Sequence, residues 1–222
     1  MVRKLSGETS VEALVGVLHA LGVEQAFAVF GGSIAPFCEA LNRSPIRTLH
    51  FRHEAGAAFA AIEASLATGK LTVVVTTTGP GLTNAYTGMV AARSEGARVL
   101  FVSGGTSAAQ RGRMPFQETS ALSGFGPALF AQNQVLHYAA VLEDPAELEV
   151  IANRFESGLS RRDGFVAHVN LPLSSQTTRG PRRERRPMTV SPATACSRSD
   201  VERCAELLSR GSFVNLVRLR RA

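Results

Sequence analysis

The sequence predicts an α/β domain with an open, mostly parallel sheet and helices on both faces. Helix-like and strand-like segments alternate along most of the chain. The strand-like segments are short and rich in β-branched residues, which is typical of parallel strands buried on both faces. Glycine turns follow several strands, and open α/β sheets bind ligands beside the carboxyl ends of their strands. We expect four positions to gather at that edge of the sheet: Gly31, Glu54, Gly79 and the pair Gly104-Gly105.

The predicted helices carry apolar side chains at helical spacing, and several begin at a capping residue. Thr9-x-x-Glu12 is a capping box that opens the first helix, and Gly22 ends it. The helices are predicted at residues 9–22, 32 to about 41, 54–69, about 84–93, and from 144 onward. The strands are predicted at residues 26–30, 46–51, 72–76, 99–103 and 165–171. Residues 104–130 are glycine-rich and irregular, and long ordered loops of this kind are often functional.

The composition is that of a globular protein with one full core. The chain has 222 residues, of which 45% are hydrophobic, so it can also begin a second domain. No apolar run reaches the ~18 residues that span a bilayer, and the start has no hydrophobic signal region. We therefore expect a cytoplasmic protein without membrane attachment. Cys38, Cys196 and Cys204 show neither metal-ligand nor disulfide spacing, so we expect free thiols.

The net charge of +6 comes from the C-terminal part of the chain. Residues 1–178 contain 13 basic and 14 acidic residues, whereas residues 179–222 contain 11 and 4. The basic run at residues 179–187 is compatible with binding to nucleic acid or to an acidic partner, or with a solvated linker. Because it contains prolines and no interleaved aromatic residues, we favour the linker and expect no nucleic-acid binding.

These patterns divide the chain into three predicted regions. An α/β domain occupies residues 1–173, and a basic linker rich in Ser, Pro and Arg occupies residues 174–198. A short helix-strand tail occupies residues 199–222; its helix opens at Ser199-x-x-Glu202, and its strand is predicted at residues 213–217.

Glu54 is the strongest candidate for a catalytic side chain. It follows Arg52-His53 at the point where a strand-like segment turns into an alanine-rich helix. The small apolar residues of that helix favour tight packing, which would leave the carboxyl group poorly solvated. The alternative is that an acid stands there only because acids favour helix N-termini.

A second motif follows the strand at residues 72–76, in the turn Gly79-Pro80-Gly81. Glycine lets the backbone approach a ligand closely, and proline stiffens the turn, so this pattern favours a binding loop. An ordinary strand-to-helix connection and a phosphate loop are the alternatives. No lysine follows the turn, which disfavours a nucleotide-phosphate loop.

Together these motifs resemble the pyrimidine-binding domain of thiamine-diphosphate enzymes, in the acetolactate synthase and 2-oxoacid decarboxylase superfamily. The resemblance extends over residues 8–173, and within it Ala28 and Phe30 replace the family's usual glycine and proline. The matching segments occur in the family's order: 27–36, Arg52-His53-Glu54-x-Gly56-Ala57, Ala67-Thr68-Gly69-Lys70, Thr77-Thr78-Gly79-Pro80-Gly81-x-x-Asn84 and Phe116-Gln117-Glu118. Residues 199–222 would then resemble the start of a truncated central domain.

The resemblance implies a role for each matching residue. Glu54 matches the glutamate that hydrogen-bonds the aminopyrimidine ring nitrogen of thiamine diphosphate and so promotes removal of the cofactor's C2 proton. The positions that match the pyrimidine pocket are Gly31, Gly32, Thr77, Gly79, Pro80, Gly81 and Asn84. Phe116 and Gln117 match a region on the substrate side of the cofactor, and simple loop packing is the alternative for both.

The family's Gly-Asp-Gly…Asn segment, which holds Mg²⁺ and the diphosphate, is absent from the sequence. We therefore predict no metal ligands here and expect Mg²⁺ to be held by a diphosphate-binding partner domain absent from this chain. That domain would belong to another polypeptide of a homo- or hetero-oligomer, or to a longer version of the enzyme. The predicted function is the pyrimidine-binding subunit or fragment of a decarboxylase or carboligase that acts on a 2-oxo acid. The alternative is a noncatalytic assembly or regulatory subunit that keeps the fold.

Overall fold

The computed structural model describes residues 7–124, 126–180 and 197–209. The chain divides into two compact units, one up to residue 190 and one from residue 191 onward. In the second unit, a single helix lies within the described residues. It is the helix predicted to open near Ser199, and it occupies Arg198–Ser209. The strand predicted at residues 213–217, most of the basic run at 179–187, and Cys196 lie outside the described residues.

The first unit contains a six-stranded sheet in which every strand is parallel to its neighbours. Its strands, in chain order, are Gln25–Ala28 (β2), Arg47–His50 (β3), Thr72–Thr76 (β4), Arg98–Gly105 (β5), Tyr138–Val141 (β6) and Phe165–Pro172 (β7). In space they are ordered β3-β2-β4-β5-β7-β6. A separate two-stranded antiparallel sheet pairs Glu8–Thr9 (β1) with Arg179–Gly180 (β8).

Helices cover both faces of the large sheet, so the predicted fold class is confirmed. The helices of this unit are Ser10–Ala20 (α1), Ala35–Asn42 (α2), Glu54–Thr68 (α3), Pro80–Glu95 (α4), Leu148–Leu159 (α5) and Leu173–Gln176 (α6); Arg198–Ser209 of the second unit is α7. Strand side chains alternate between the two faces. Val73 and Val75 join the core beneath α1, α2 and α5, whereas Val74 joins the core beneath α3 and α4.

Local signals set the ends of the helices. Thr9 and Glu12 form the predicted capping box of α1, in which each side chain bonds the other residue's backbone N–H. Helix α3 ends as predicted at Gly69, which adopts a left-handed conformation with φ 72°. Helix α4 begins at Pro80, earlier than the predicted start near Asn84, because proline suits the first turn, where its missing N–H needs no partner.

The largest difference from the predicted elements is β6, which was not predicted. Its four residues are all partly buried, since the strand lies at the edge of the sheet and pairs only with β7. It therefore lacks the alternating or wholly apolar pattern that marks a strand in a sequence. The following helix matches the prediction: Asp144 and Glu147 form a capping box just before α5.

Ordered structure continues beyond residue 173, into the range predicted as linker. Gln176 is 1% exposed, and its side-chain amide donates to the carbonyl oxygens of Ser33 and Leu171 at 2.7 and 3.1 Å. Strand β8 then pairs with β1. The division into domain, linker and tail stays a prediction, and residues 174–180 of the linker range have defined contacts with the α/β domain.

Cys38 is a buried free thiol, and burial raises its pKa to about 12. Among the described helices, none combines the length and the apolar character needed to cross a bilayer.

Candidate functional site

The loops that follow the first four large-sheet strands meet at the carboxyl edge of the sheet, as the fold predicts. Close contacts connect them one to the next. A Cβ added at Gly31, after β2, would lie 2.8 Å from Cγ2 of Thr77, after β4. A Cβ added at Gly104, the next-to-last residue of β5, would lie 2.5 Å from the Ser33 hydroxyl oxygen. At both positions glycine allows an approach that a side chain would prevent.

Glu54 lies at the start of α3, after β3, and its carboxylate is held in a defined position. The residue is only 7% exposed, and its Oε2 accepts a hydrogen bond from Asn84 Nδ2 at 3.0 Å. His53 caps the helix, since its Nδ1 accepts from the backbone N–H of Ala55 at 3.2 Å. Within the residues that the structure describes, Oε1 of Glu54 has no hydrogen-bond partner. One carboxylate oxygen is therefore fixed by the protein, and the other remains available to a ligand.

Close packing of α3 against α4 brings Glu54 to Asn84. One turn further along, a Cβ added at Gly88 would lie only 2.2 Å from the Cβ of Ala58. The pairs 54/84 and 58/88 keep the same offset, so the two helices run parallel, as expected for helices that follow β3 and β4, two parallel strands on either side of β2. The small residues of the alanine-rich helix therefore determine how near the amide of Asn84 comes to the carboxylate.

The turn at Gly79 is held from two sides. Gly79 has φ 57° and ψ −117°, a conformation that strongly favours glycine. Its backbone N–H donates to the hydroxyl of Thr119 at 2.6 Å, and the N–H of Thr78 donates to the hydroxyl of Ser33 at 3.2 Å. Pro80, which follows, is exposed and opens α4. The turn is thus a fixed surface between two other loops.

Glycines also keep space open around the carboxylate. A Cβ added at Gly81 would lie 3.3 Å from Glu54 Oε1 and 3.4 Å from Thr77 Cγ2, so any side chain there would crowd both groups. Gly32 is different, since a Cβ there would meet nothing within 4 Å. Of the positions matched to a pyrimidine pocket, Asn84 and Gly81 therefore lie directly against Glu54. Thr77 lies against Gly81, Gly31 lies against Thr77, and Gly32 faces open space.

The two candidate substrate residues differ in their surroundings. Gln117 packs against the Gly79 turn. A Cβ added at Gly79 would lie 2.8 Å from Gln117 Cβ, and the Thr78 hydroxyl donates to Gln117 Oε1 at 3.3 Å. Phe116 is 91% exposed and extends away from this contact. The structure thus brings Gln117 to the site and does not pack Phe116 against it.

Sequence reasoning missed a buried polar cluster behind the edge of the sheet. His168 Nδ1 contacts the carbonyl oxygen of Leu129, and because a carbonyl can only accept, Nδ1 carries the proton. Its Nε2 lies 2.9 Å from the hydroxyl of Ser103, which also accepts from the Asn170 amide at 2.9 Å. Burial lowers the pKa of His168 to about 4. The ring is therefore neutral, and its hydrogen bonds give it a structural role.

Other residues that support the site were also missed: Ser33, Thr106 and Thr119. Ser33 directly follows the Gly31-Gly32 pair, and Thr119 stands two residues after Gln117. Their places next to recognised motifs were the only sequence features that could have marked these two residues as part of the site. Within the described residues, no group of three or more His, Cys, Asp or Glu side chains is arranged to hold a metal ion.

Comparison with known proteins agrees with this geometry. The sequence profile of the family described as "Thiamine pyrophosphate enzyme, N-terminal TPP binding domain" matches residues 8–124. The catabolic acetolactate synthase of Raoultella terrigena is 36% identical over 162 residues, which are 72% of this chain and 28% of that protein. The large subunit of acetolactate synthase isozyme 2 from Escherichia coli K12 is 35% identical over 167 residues, 75% of this chain and 29% of that protein.

A relative with a different activity is 2-hydroxyacyl-CoA lyase 2 of Xenopus laevis, which is 37% identical over 116 residues, 52% of this chain and 18% of that protein. The chain therefore spans less than a third of the length of each of these three relatives. The matched profile nevertheless covers more than half of the chain. The chain accordingly belongs to the thiamine pyrophosphate enzyme family and contains that family's N-terminal TPP binding domain.

Proposed function

We propose that this chain supplies the pyrimidine-binding half of a thiamine-diphosphate-dependent decarboxylase or carboligase that acts on a 2-oxo acid, similar to acetolactate synthase. Glu54 is its catalytic residue. The observation that carries the proposal is the buried Glu54 carboxylate, with Oε2 fixed by Asn84 and Oε1 beside the space that Gly81 leaves open.

The residues present fit the aminopyrimidine of this cofactor. A pyrimidine ring is flat and carries ring nitrogens, so it requires a narrow space and a polar group at its edge. At Gly81 no side chain stands between the backbone and Glu54 Oε1, and Thr77 Cγ2 is an apolar group on the same side. The turn at Gly79 and Pro80 forms a further wall. Gly31 and Gly32 complete the proposed set on the neighbouring loop.

When bound, thiamine diphosphate supplies the carbon nucleophile and the electron sink that decarboxylation of a 2-oxo acid requires. The task of Glu54 is to hold a proton at the ring nitrogen and to share it during the reaction. Asn84 keeps the carboxylate oriented, so little reorganisation is needed when the proton moves. Burial of Glu54 excludes water that would compete for the same proton. Gln117 is proposed to contact the 2-oxo acid, and the exposed ring of Phe116 to pack on substrate or partner.

A second domain, on another polypeptide or in a longer chain, is proposed to bind the diphosphate and Mg²⁺. Two observations support this proposal. The sequence has no Gly-Asp-Gly…Asn segment, and the chain matches under a third of each of the three relatives described. Phe59, Tyr86 and Val90, on α3 and α4, are also 46%, 42% and 40% exposed, which suits an oligomer contact. We propose that the assembled enzyme acts in the cytoplasm.

The test is turnover of pyruvate by the 222-residue chain mixed with a polypeptide that contains a Gly-Asp-Gly…Asn diphosphate-binding domain. With thiamine diphosphate and Mg²⁺ present, the mixture should release carbon dioxide, and Glu54→Gln should lower the rate by ~10²–10⁴-fold. Glu63→Gln is the matched control, since Glu63 is an exposed acid on the same helix. Equal rates for wild type and Glu54→Gln would contradict the assignment and favour the noncatalytic assembly or regulatory subunit.

A further inference from the structure

Thr119 connects the two loops that form the proposed substrate side of the site. It is fully buried, and its hydroxyl accepts from the backbone N–H of Gly79 at 2.6 Å. The same hydroxyl donates to the carbonyl oxygen of Gln117 at 3.0 Å. A hydroxyl has one proton to donate and two lone pairs to accept with, so both bonds form at once. One side-chain atom thus bonds both the Gly79 turn and the Gln117 backbone.

Thr119 is itself anchored to the sheet. Its backbone N–H donates to the hydroxyl of Thr106 at 2.8 Å, and the N–H of Thr106 donates back to the Thr119 carbonyl at 3.1 Å. Thr106 directly follows β5, one of the central strands. The hydroxyl of Thr119 is therefore held in a fixed position relative to the core.

Gln117 needs such support because its backbone is strained. Its φ is 55°, in the left-handed region that residues other than glycine rarely adopt. Its side chain lies against Gly79, and its Oε1 accepts from the Thr78 hydroxyl. Strained conformations persist only where the surrounding contacts determine them, and they concentrate at functional sites. The bond from Thr119 to the Gln117 carbonyl is one of those contacts.

We propose that Thr119 is a positioning residue that fixes Gln117 against the Gly79 turn, so that the proposed substrate and cofactor loops keep one relative geometry. This inference rests on the proposed function, in which Gln117 meets the 2-oxo acid. In this proposal Thr119 contacts neither thiamine diphosphate nor the 2-oxo acid. It determines how well the site holds the 2-oxo acid and leaves the proton transfer at Glu54 unchanged.

The first measurement is amide hydrogen exchange in the full chain by NMR, which requires no activity. Thr119→Val replaces the hydroxyl with a methyl group of similar size, so the buried N–H of Gly79 loses its acceptor. Exchange at Gly79 should become about tenfold faster, whereas Thr119→Ser, which keeps the hydroxyl, should stay within about twofold of wild type. Thr68→Val makes the same change at an exposed hydroxyl at the far end of α3 and should have no effect at Gly79.

The second measurement is steady-state turnover of pyruvate by the same variants in the assembled enzyme. Thr119→Val should raise KM about tenfold, an effect also expected of Gln117→Ala, while exchange of the cofactor's C2 proton should keep its wild-type rate. Thr119→Ser should restore KM. If Thr119→Val fails to fold, the wild-type chain decides: the amides of Gly79 and Thr119 should exchange at a common rate, because the two loops open together.

Unchanged exchange at Gly79 in Thr119→Val, or unrelated rates for the two amides in wild type, would overturn the inference. Faster exchange at Gly79 with an unchanged KM would overturn the positioning role and leave the proposed function standing. A wild-type assembly that turns over no 2-oxo acid would contradict the proposed function and, with it, the role in substrate binding. The exchange rates would then still support or overturn the connection between the two loops.

Discussion

Replacement of Gly88 by alanine should destabilise the fold, even though alanine is the better helix former. A Cβ at this position would lie 2.2 Å from the Cβ of Ala58, well inside the ~3.5–4.0 Å of ordinary carbon contact. Both residues are in helices that pack at fixed spacing on the sheet, so α3 and α4 must separate. Overpacking of this kind costs about 1–3 kcal/mol, and the gain in helix propensity returns about 1 kcal/mol.

We therefore expect Gly88→Ala to lower the free energy of unfolding by up to about 2 kcal/mol, measured by urea unfolding of the full chain. Gly56→Ala is the matched control. It makes the same change in α3, where the new Cβ would meet only Phe51 Cδ1 at 3.7 Å, an ordinary contact. This control should be neutral or stabilising by up to about 1 kcal/mol, since only helix propensity changes.

A double variant removes the clash and should reverse the sign of the effect. In an Ala58→Gly background the Gly88→Ala substitution meets no facing methyl group, so it should stabilise by about 1 kcal/mol. The coupling energy between the two positions should be about 1–3 kcal/mol. If Gly88→Ala stabilises the wild-type chain as much as Gly56→Ala does, the helices are not in close contact, and our explanation for the Glu54–Asn84 pair is wrong.

Three further predictions concern binding, the chain end and pH. The isolated chain should bind thiamine diphosphate weakly or not at all in calorimetry with Mg²⁺ present, because the diphosphate site is proposed to lie elsewhere; micromolar binding would contradict the two-part site. A chain ending at Gly180 should unfold cooperatively like the full chain. A chain ending at Ser174 loses the two hydrogen bonds of Gln176, so its free energy of unfolding should be about 1–3 kcal/mol lower. Equal stability of the two truncated chains would contradict these contacts. Burial holds the pKa of His168 at about 4, below its ordinary 6.5, so unfolding takes up a proton between these pH values. The free energy of unfolding should therefore fall as the pH drops from 6.5 towards 4, by an amount on the order of 3 kcal/mol. This part of the pH dependence should disappear in His168→Gln.

Much of the fold could be predicted from the sequence, because the patterns that mark strands and helix ends lie within a few consecutive residues. Strand β4 was predicted at its observed bounds, since its five consecutive residues are all β-branched and the Gly79 turn follows closely. The capping box at Thr9 and the left-handed Gly69 were also readable within a few residues. Strand β6 was missed because Tyr138–Val141 is an edge strand whose side chains are all half buried.

The site was predictable only in part because its contacts are long-range. Glu54 stood out by its place at a strand-to-helix turn, but its bond to Asn84 joins residues 30 positions apart and depends on how α3 packs on α4. The bond from Gly79 to Thr119 spans 40 positions and follows no sequence pattern. The exposure of Phe116 could not be predicted from the sequence either, since the Phe116-Gln117-Glu118 motif is the same whether the ring packs on the loop or points outward.

We propose that Glu54 holds and shares the proton that activates the cofactor. The most direct test of this role is the rate at which the C2 proton of bound thiamine diphosphate exchanges with deuterium, measured by NMR in the assembled enzyme. Glu54→Gln keeps the size of the side chain and its bond to Asn84, so the fold should remain intact while C2 exchange slows by ~10²–10⁴-fold. The matched variant Glu63→Gln should exchange at the wild-type rate. Equal exchange in wild type and Glu54→Gln would remove Glu54 from catalysis and contradict the account.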